Sequence, residues 1–101
     1  MKDFFGREFE PIEMERLIEM LNERNAKFRI KEIFGTKQVW FMDENGKEIG
    51  DAICHAGSYG HEDGLLEIMG LDITIDEYGD SVLGWLTAEE VLEHLDNALR
   101  K

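Results

Sequence analysis

The sequence predicts an α+β fold in which an antiparallel sheet of about five strands lies between an N-terminal and a C-terminal helix. Two observations support this: apolar stripes at helical spacing near both ends, and short strand-like segments separated by turn residues between them. The chain has 101 residues, of which 43% are hydrophobic. That length and composition predict one hydrophobic core, and therefore a single domain over residues 1–101.

The two helices are predicted from apolar spacing and from their first residues. Pro11 suits the start of a helix over residues 12–24, because a helix does not need the N–H that proline lacks. The buried stripe of this helix would be Met14, Leu17, Ile18 and Leu21. Thr87 and Glu90 match a capping box, so a second helix is expected to begin there and to run to about Leu99.

The strands are predicted from alternating or β-rich segments. They are expected over residues 27–31, 38–42, 47–54, 71–76 and 81–86, with turns at 34–37, 43–46 and 77–80. The apolar run 65–69 is too short to distinguish a strand from a helical turn. Three glycines and a serine within residues 55–64 favour a loop.

The charge is distributed very unevenly along the sequence. The net charge is -12, and the segment from Glu48 to Leu99 contains 13 acidic residues but no lysine or arginine. Such a chain repels DNA, RNA and anionic lipid, so a basic protein is the expected kind of partner. The alternative is a solvated acidic surface that only confers solubility.

The expected partner-binding residues are carboxylates of this acidic segment and the two tyrosines among them. Carboxylates pair with Lys and Arg, and tyrosine rings can anchor arginine side chains. The candidate set is Tyr59, Glu62, Asp63, Glu67, Asp72, Asp76, Glu77, Tyr78 and Asp80. Trp85 is expected in the core, and of the adjacent Trp40 and Phe41 one is expected to face the core.

No motif indicates an enzyme, a metal or a cofactor. Cys54, His55 and His61 are the only cluster of reactive side chains, and their spacing does not match structural zinc sites. Adjacent strand residues also point to opposite faces, which argues against a Cys54–His55 nucleophilic pair.

The single cysteine is compatible with a reducing compartment. With no apolar stretch typical of a secretory signal or a membrane span, a cytoplasmic location is expected.

Two segments of the acidic half resemble short proteins of phages and mobile elements in Gram-positive bacteria. These segments are SYGHEDGLLEIMG and DSVLGWLTAEEVLEHL. Small size, acidity and the absence of a catalytic motif are also similar to phage-encoded anti-CRISPR proteins. That resemblance implies a non-catalytic inhibitor that occupies the basic nucleic-acid site of an effector such as Cas9. The alternative is a cytoplasmic assembly module, or a homodimer through the exposed edge of the sheet.

Overall fold

The structure is a computed structural model and describes residues 1–74 and 81–100. The elements in chain order are α1 (Ile12–Glu23), β1 (Phe28–Ile33), β2 (Thr36–Met42), β3 (Glu48–Ile53), a 3-10 turn (His61–Asp63), β4 (Leu66–Gly70), β5 (Val82–Leu86) and α2 (Ala88–Leu99). The five strands form one antiparallel sheet in the order β1-β2-β3-β4-β5. The predicted α+β fold is therefore confirmed.

The fourth strand is not where the alternating pattern predicted it. Residues 71–74 do not form a strand, so the prediction of a strand over 71–76 is wrong for them, while residues 75 and 76 lie outside the described part. The ambiguous run 65–69 forms most of β4 instead. Gly70 and Leu71 have φ values of +79° and +59°, and two successive residues in this region turn the chain out of the strand.

The hairpin between β1 and β2 is tighter than predicted. The sequence suggested a turn over residues 34–37, but Thr36 and Lys37 already belong to β2. The two connecting residues, Phe34 and Gly35, both have positive φ, at +50° and +76°. Positive φ at both central residues is typical of two-residue hairpin connections, which match the twist of the flanking strands.

Both helices pack on one face of the sheet and form the core with it. Val39, Ala52 and Ile68, from three adjacent strands, are fully buried in the same cluster as the apolar sides of the helices. The helix residues of that cluster include Leu17 and Leu21 of α1 and Val91 and Leu95 of α2. The molecule is only 20 Å thick and measures 40 by 36 Å in the other directions, as two layers require. We call the sheet surface that faces away from the helices the open face.

The start of α2 is capped as predicted and is also tied to α1. The Thr87 hydroxyl accepts from the Glu90 N–H at 3.2 Å, and the Glu90 carboxylate accepts from the Thr87 N–H at 3.0 Å. Glu13 of α1 accepts from the Ala88 N–H at 2.8 Å. Each helix has 12 residues, and within residues 1–74 and 81–100 no helix is long and apolar enough to cross a membrane.

Candidate functional site

A β-bulge in β5 places Trp85 on the open face in an unusual backbone conformation. Leu66 pairs with Leu86 and Ile68 pairs with Leu83, so Gly84 and Trp85 together oppose the single residue Glu67. Trp85 has a φ of +58°, which bulky residues rarely adopt. Bulges redirect side chains from the regular alternation of a strand. This one presents the indole of Trp85 at the edge of the sheet.

The indole of Trp85 stacks on the ring of Tyr59. The ring centroids are 5.3 Å apart and the planes differ by 15°. The backbone supports the stack, because the Trp85 N–H donates to the Tyr59 carbonyl at 3.3 Å. Gly84 leaves the necessary space, since a Cβ there would lie 2.2 Å from the Cβ of Tyr59. Tyr59 and Trp85 nevertheless remain 48% and 56% exposed.

One carboxylate lies beside this aromatic stack, and two more lie on the adjoining turn. Glu67 accepts a hydrogen bond from the Tyr59 N–H at 2.7 Å, so its charge is held beside the stack. Glu62 and Asp63, both exposed, lie on the adjoining 3-10 turn. Among the described residues, no lysine or arginine forms an ion pair with any of these three acids. We call Tyr59, Glu62, Asp63, Glu67 and Trp85 the aromatic–acidic site.

A buried ion pair between His61 and Asp3 fixes the loop that carries Tyr59. His61 Nε2 lies 3.0 Å from the Asp3 carboxylate, and His61 Nδ1 lies 2.7 Å from the Ser58 carbonyl. Both ring nitrogens face acceptors, which a protonated imidazole satisfies. The hydrogen bond with His61 is the main reason that the pKa of Asp3 is lowered to about 2. Burial lowers the pKa of His61, but hydrogen bonds with Asp3 and Ser58 and the charge of Glu62 raise it above its usual value overall.

Burial encloses Cys54, and hydrogen bonds hold His55 and His61. Cys54 is fully buried, and burial, with the nearby charge of Glu62, raises the pKa of its thiol to about 11. His55 Nδ1 accepts from the Gly57 N–H at 3.0 Å, while His61 forms the pair with Asp3. In the part of the chain that the structure describes, no group of three or more His, Cys, Asp or Glu side chains could hold a metal ion.

Of the remaining candidate residues, Asp72 is described by the structure and does not join the aromatic–acidic site. Asp72 is largely buried and accepts hydrogen bonds from His94 Nδ1 at 2.6 Å and Asn97 Nδ2 at 3.0 Å. Its carboxylate therefore links the turn after β4 to α2. The other four residues of the set, Asp76, Glu77, Tyr78 and Asp80, lie outside the described residues.

The separation of charge along the sequence is reduced in three dimensions. Arginines from the first 47 residues pair with three acids of the acidic segment. These pairs are Arg29–Glu48 at 3.7 Å, Arg16–Glu89 at 2.5 Å and Arg24–Asp96. Two of the three lie between the helices, and none involves Glu62, Asp63 or Glu67 of the aromatic–acidic site, where Glu62 lies 3.2 Å from His61 Nδ1.

Sequence reasoning placed Trp85 in the core, and this is wrong. No signal in the sequence marks its exposure, because the bulge at Gly84 and Trp85 interrupts the alternation from which the faces of a strand are predicted. The corresponding expectation for the other aromatic pair is confirmed. Phe41 is fully buried, and Trp40 lies on the open face with Lys31 Nζ 5.5 Å from its ring centroid.

The chain was compared with models of protein families, with curated proteins and with solved structures. No family model, no curated protein and no solved structure matches it.

Proposed function

We propose that the chain is a non-catalytic acidic binding protein that occupies the basic nucleic-acid-binding surface of a partner and inhibits it. The observation that supports this most directly is the exposed Tyr59–Trp85 stack with Glu67 hydrogen-bonded beside it. The resemblance to phage-encoded anti-CRISPR proteins supplies the class of partner, a nucleic-acid-handling effector such as Cas9, and a phage or mobile-element origin.

The aromatic–acidic site matches the chemistry of an arginine side chain. A guanidinium group can stack on an indole or phenol ring while its N–H groups pair with a carboxylate. Trp, Tyr and Arg are also the residue types that most often dominate binding energy at protein interfaces. The two rings supply the stacking surface, and Glu62, Asp63 and Glu67 supply the charge.

The net charge adds attraction at longer range. A net charge of -12 steers the chain toward a positive groove and can raise association rates by roughly 10- to 10³-fold. Surfaces that bind nucleic acid are rich in Lys and Arg because they neutralise phosphates. An acidic protein with aromatic anchors therefore competes with nucleic acid for the same surface.

The test measures binding to a Cas9-type effector with and without its guide RNA. We expect binding to the guide-free effector, and we expect the guide to prevent it. Asp63→Lys and Trp85→Ala should each weaken binding by about tenfold or more. The matched control is Glu19→Lys, which changes the net charge as much as Asp63→Lys does but lies on the exposed side of α1.

Two results would count against the proposal in different ways. Absence of binding to the guide-free effector would refute the class of partner. Equal loss of affinity in Asp63→Lys and Glu19→Lys would refute the site, because only total charge would then matter. Asp72 is unsuitable for such a test, since its replacement would also break its hydrogen bonds to His94 and Asn97.

An assembly role, in which acidity only gives solubility, is favoured by a different observation. Phe4, Phe5 and Phe34 are 71%, 83% and 73% exposed, and exposed apolar groups of this size often mark contacts between proteins. The dependence of binding on salt concentration distinguishes the two roles. Binding to a basic partner weakens as salt rises, whereas association through phenylalanines does not.

A further inference from the structure

The open face carries two rows of side chains that cross the sheet from β1 to β4. The rows are Arg29, Trp40, Asp51 and Met69, and beside them Lys31, Gln38, Ile53 and Glu67. Both rows point away from the helices, because the alternate residues Val39, Ala52 and Ile68 are buried in the core. Within the described chain no helix covers them.

The open face combines apolar surface with opposite charges at its two sides. Met69 is 49% exposed and Trp85 is 56% exposed, and both lie toward β5. Lys31 lies on β1, while Glu67 lies on β4. Neighbouring strands are about 4.8 Å apart, so these two charges are separated by roughly 14 Å.

The other charged groups of the rows are already engaged. Arg29 pairs with Glu48 at 3.7 Å. The Asp51 carboxylate is buried and accepts from Gln38 Nε2 at 2.7 Å, and burial raises its pKa. Lys31 lies over the Trp40 ring and Glu67 accepts from the Tyr59 N–H, but among the described residues neither forms an ion pair, so both charges can still pair with a partner. Because one is positive and the other negative, the face is complementary to a second copy of itself.

We propose that the open face binds the open face of a second copy, about a two-fold axis parallel to the strands. This rotation places β1 of one copy over β4 of the other, so that Lys31 of each protomer meets Glu67 of its partner. In a two-fold interface each contact occurs twice. The same rotation places Met69 of one copy over Arg29 and beside Trp40 of the other and covers the exposed surface of Met69, while β5 with Trp85 extends past β1 of the partner.

The face is a better site for this contact than the β1 edge of the sheet. Edge strand β1 exposes Arg29, Lys31 and Glu32, and charged side chains on an edge hinder strand-to-strand pairing. With β1 over β4, four strands of about five residues overlap over roughly 19 by 17 Å, or about 320 Å². This is well under half of the ~800 Å² per partner in a standard interface. The net charge of -12 on each copy also opposes association, so we expect a weak, reversible dimer.

The test is analytical ultracentrifugation of the protein alone at about 0.15 M salt, where the Debye length is only about 8 Å. The wild type should show a dimer that dissociates on dilution through the micromolar range. Lys31→Glu should weaken the dimer by about tenfold. The control is Lys37→Glu, which changes the net charge equally but borders a groove beside Glu19 and Asn22 of α1. It should leave the dimer close to that of the wild type.

A charge exchange makes the test specific. Lys31→Glu and Glu67→Lys in the same chain keep the wild-type net charge and should restore the dimer, because both charges of the pair are reversed. Glu67 also accepts from the Tyr59 N–H, so circular dichroism and urea unfolding must show that each variant is folded. Met69→Asp, which places a charge in the exposed apolar part of the face, should weaken the dimer without touching that hydrogen bond.

A monomer at all concentrations up to the millimolar range, or equal dimerisation of Lys31→Glu and Lys37→Glu, would overturn the inference. The proposed inhibition is tested separately. Lys31→Glu retains Tyr59, Glu67 and Trp85, so binding to a basic partner should persist in this variant even where self-association is lost.

Discussion

The positive φ of Trp85 predicts how the free energies of unfolding of two variants at this position differ. At a φ of +58°, a residue other than glycine bears a steric cost of about 1–2 kcal/mol. Trp85→Ala and Trp85→Gly both remove the stack with Tyr59, which contributes about 0.5–1.5 kcal/mol. Only the glycine variant also removes the backbone strain. We therefore expect the glycine variant to be more stable than the alanine variant by about 1 kcal/mol.

Urea unfolding followed by circular dichroism measures this difference. With a slope of about 1–3 kcal/mol per molar urea for a small domain, the glycine variant should unfold at a midpoint about 0.5 M higher. Both variants lack the indole, so both should lose affinity for a basic partner to the same extent. An alanine midpoint equal to or above the glycine midpoint would show that the backbone of residue 85 is not strained.

Four further predictions concern the core, the cap, the buried ion pair and the cysteine. Leu17→Ala should lower the free energy of unfolding by about 2–5 kcal/mol, because Leu17 is fully buried, and urea unfolding measures the loss. Thr87→Ala should lower it by about 1 kcal/mol in the same assay, because the cap of α2 is lost. The pKa of His61 is raised, so its contribution is present below pH ~6.5 and is lost as the pH rises through the folded-state pKa. His61→Gln should therefore flatten the pH dependence of stability near neutral pH, and an unchanged profile would contradict the role of the pair with Asp3. Cys54 should react with thiol reagents at neutral pH only when the chain unfolds, because it is buried and its pKa is about 11.

Local pattern was sufficient for the helices and for most of the sheet. The stripe of α1 and the capping box of α2 depend on residues three or four positions apart, and both are present in the structure. The first three strands also formed close to their predicted bounds. Interactions over such short distances along the chain depend little on the rest of the molecule.

The fourth strand shows where local pattern was insufficient. Residues 71–74 alternate more regularly than residues 65–69, yet the strand is β4 (Leu66–Gly70). Its register places Ile68 opposite Ala52 of β3, within the core. Burying that isoleucine and turning the chain at Gly70 outweighs the alternation that follows.

Part of the candidate site could be predicted from the sequence, and the rest is visible only in the folded structure. Composition and the absence of cations were enough to identify Tyr59, Glu62, Asp63 and Glu67 as surface groups of one acidic segment, because charge and side-chain chemistry are read directly from the residues. The exposure of Trp85, its stacking on Tyr59 and the pairing of Arg16 and Arg24 with acids of α2 follow from contacts between segments distant in the chain. Such contacts are set by strand register and helix packing, so they arise only when the whole chain has folded.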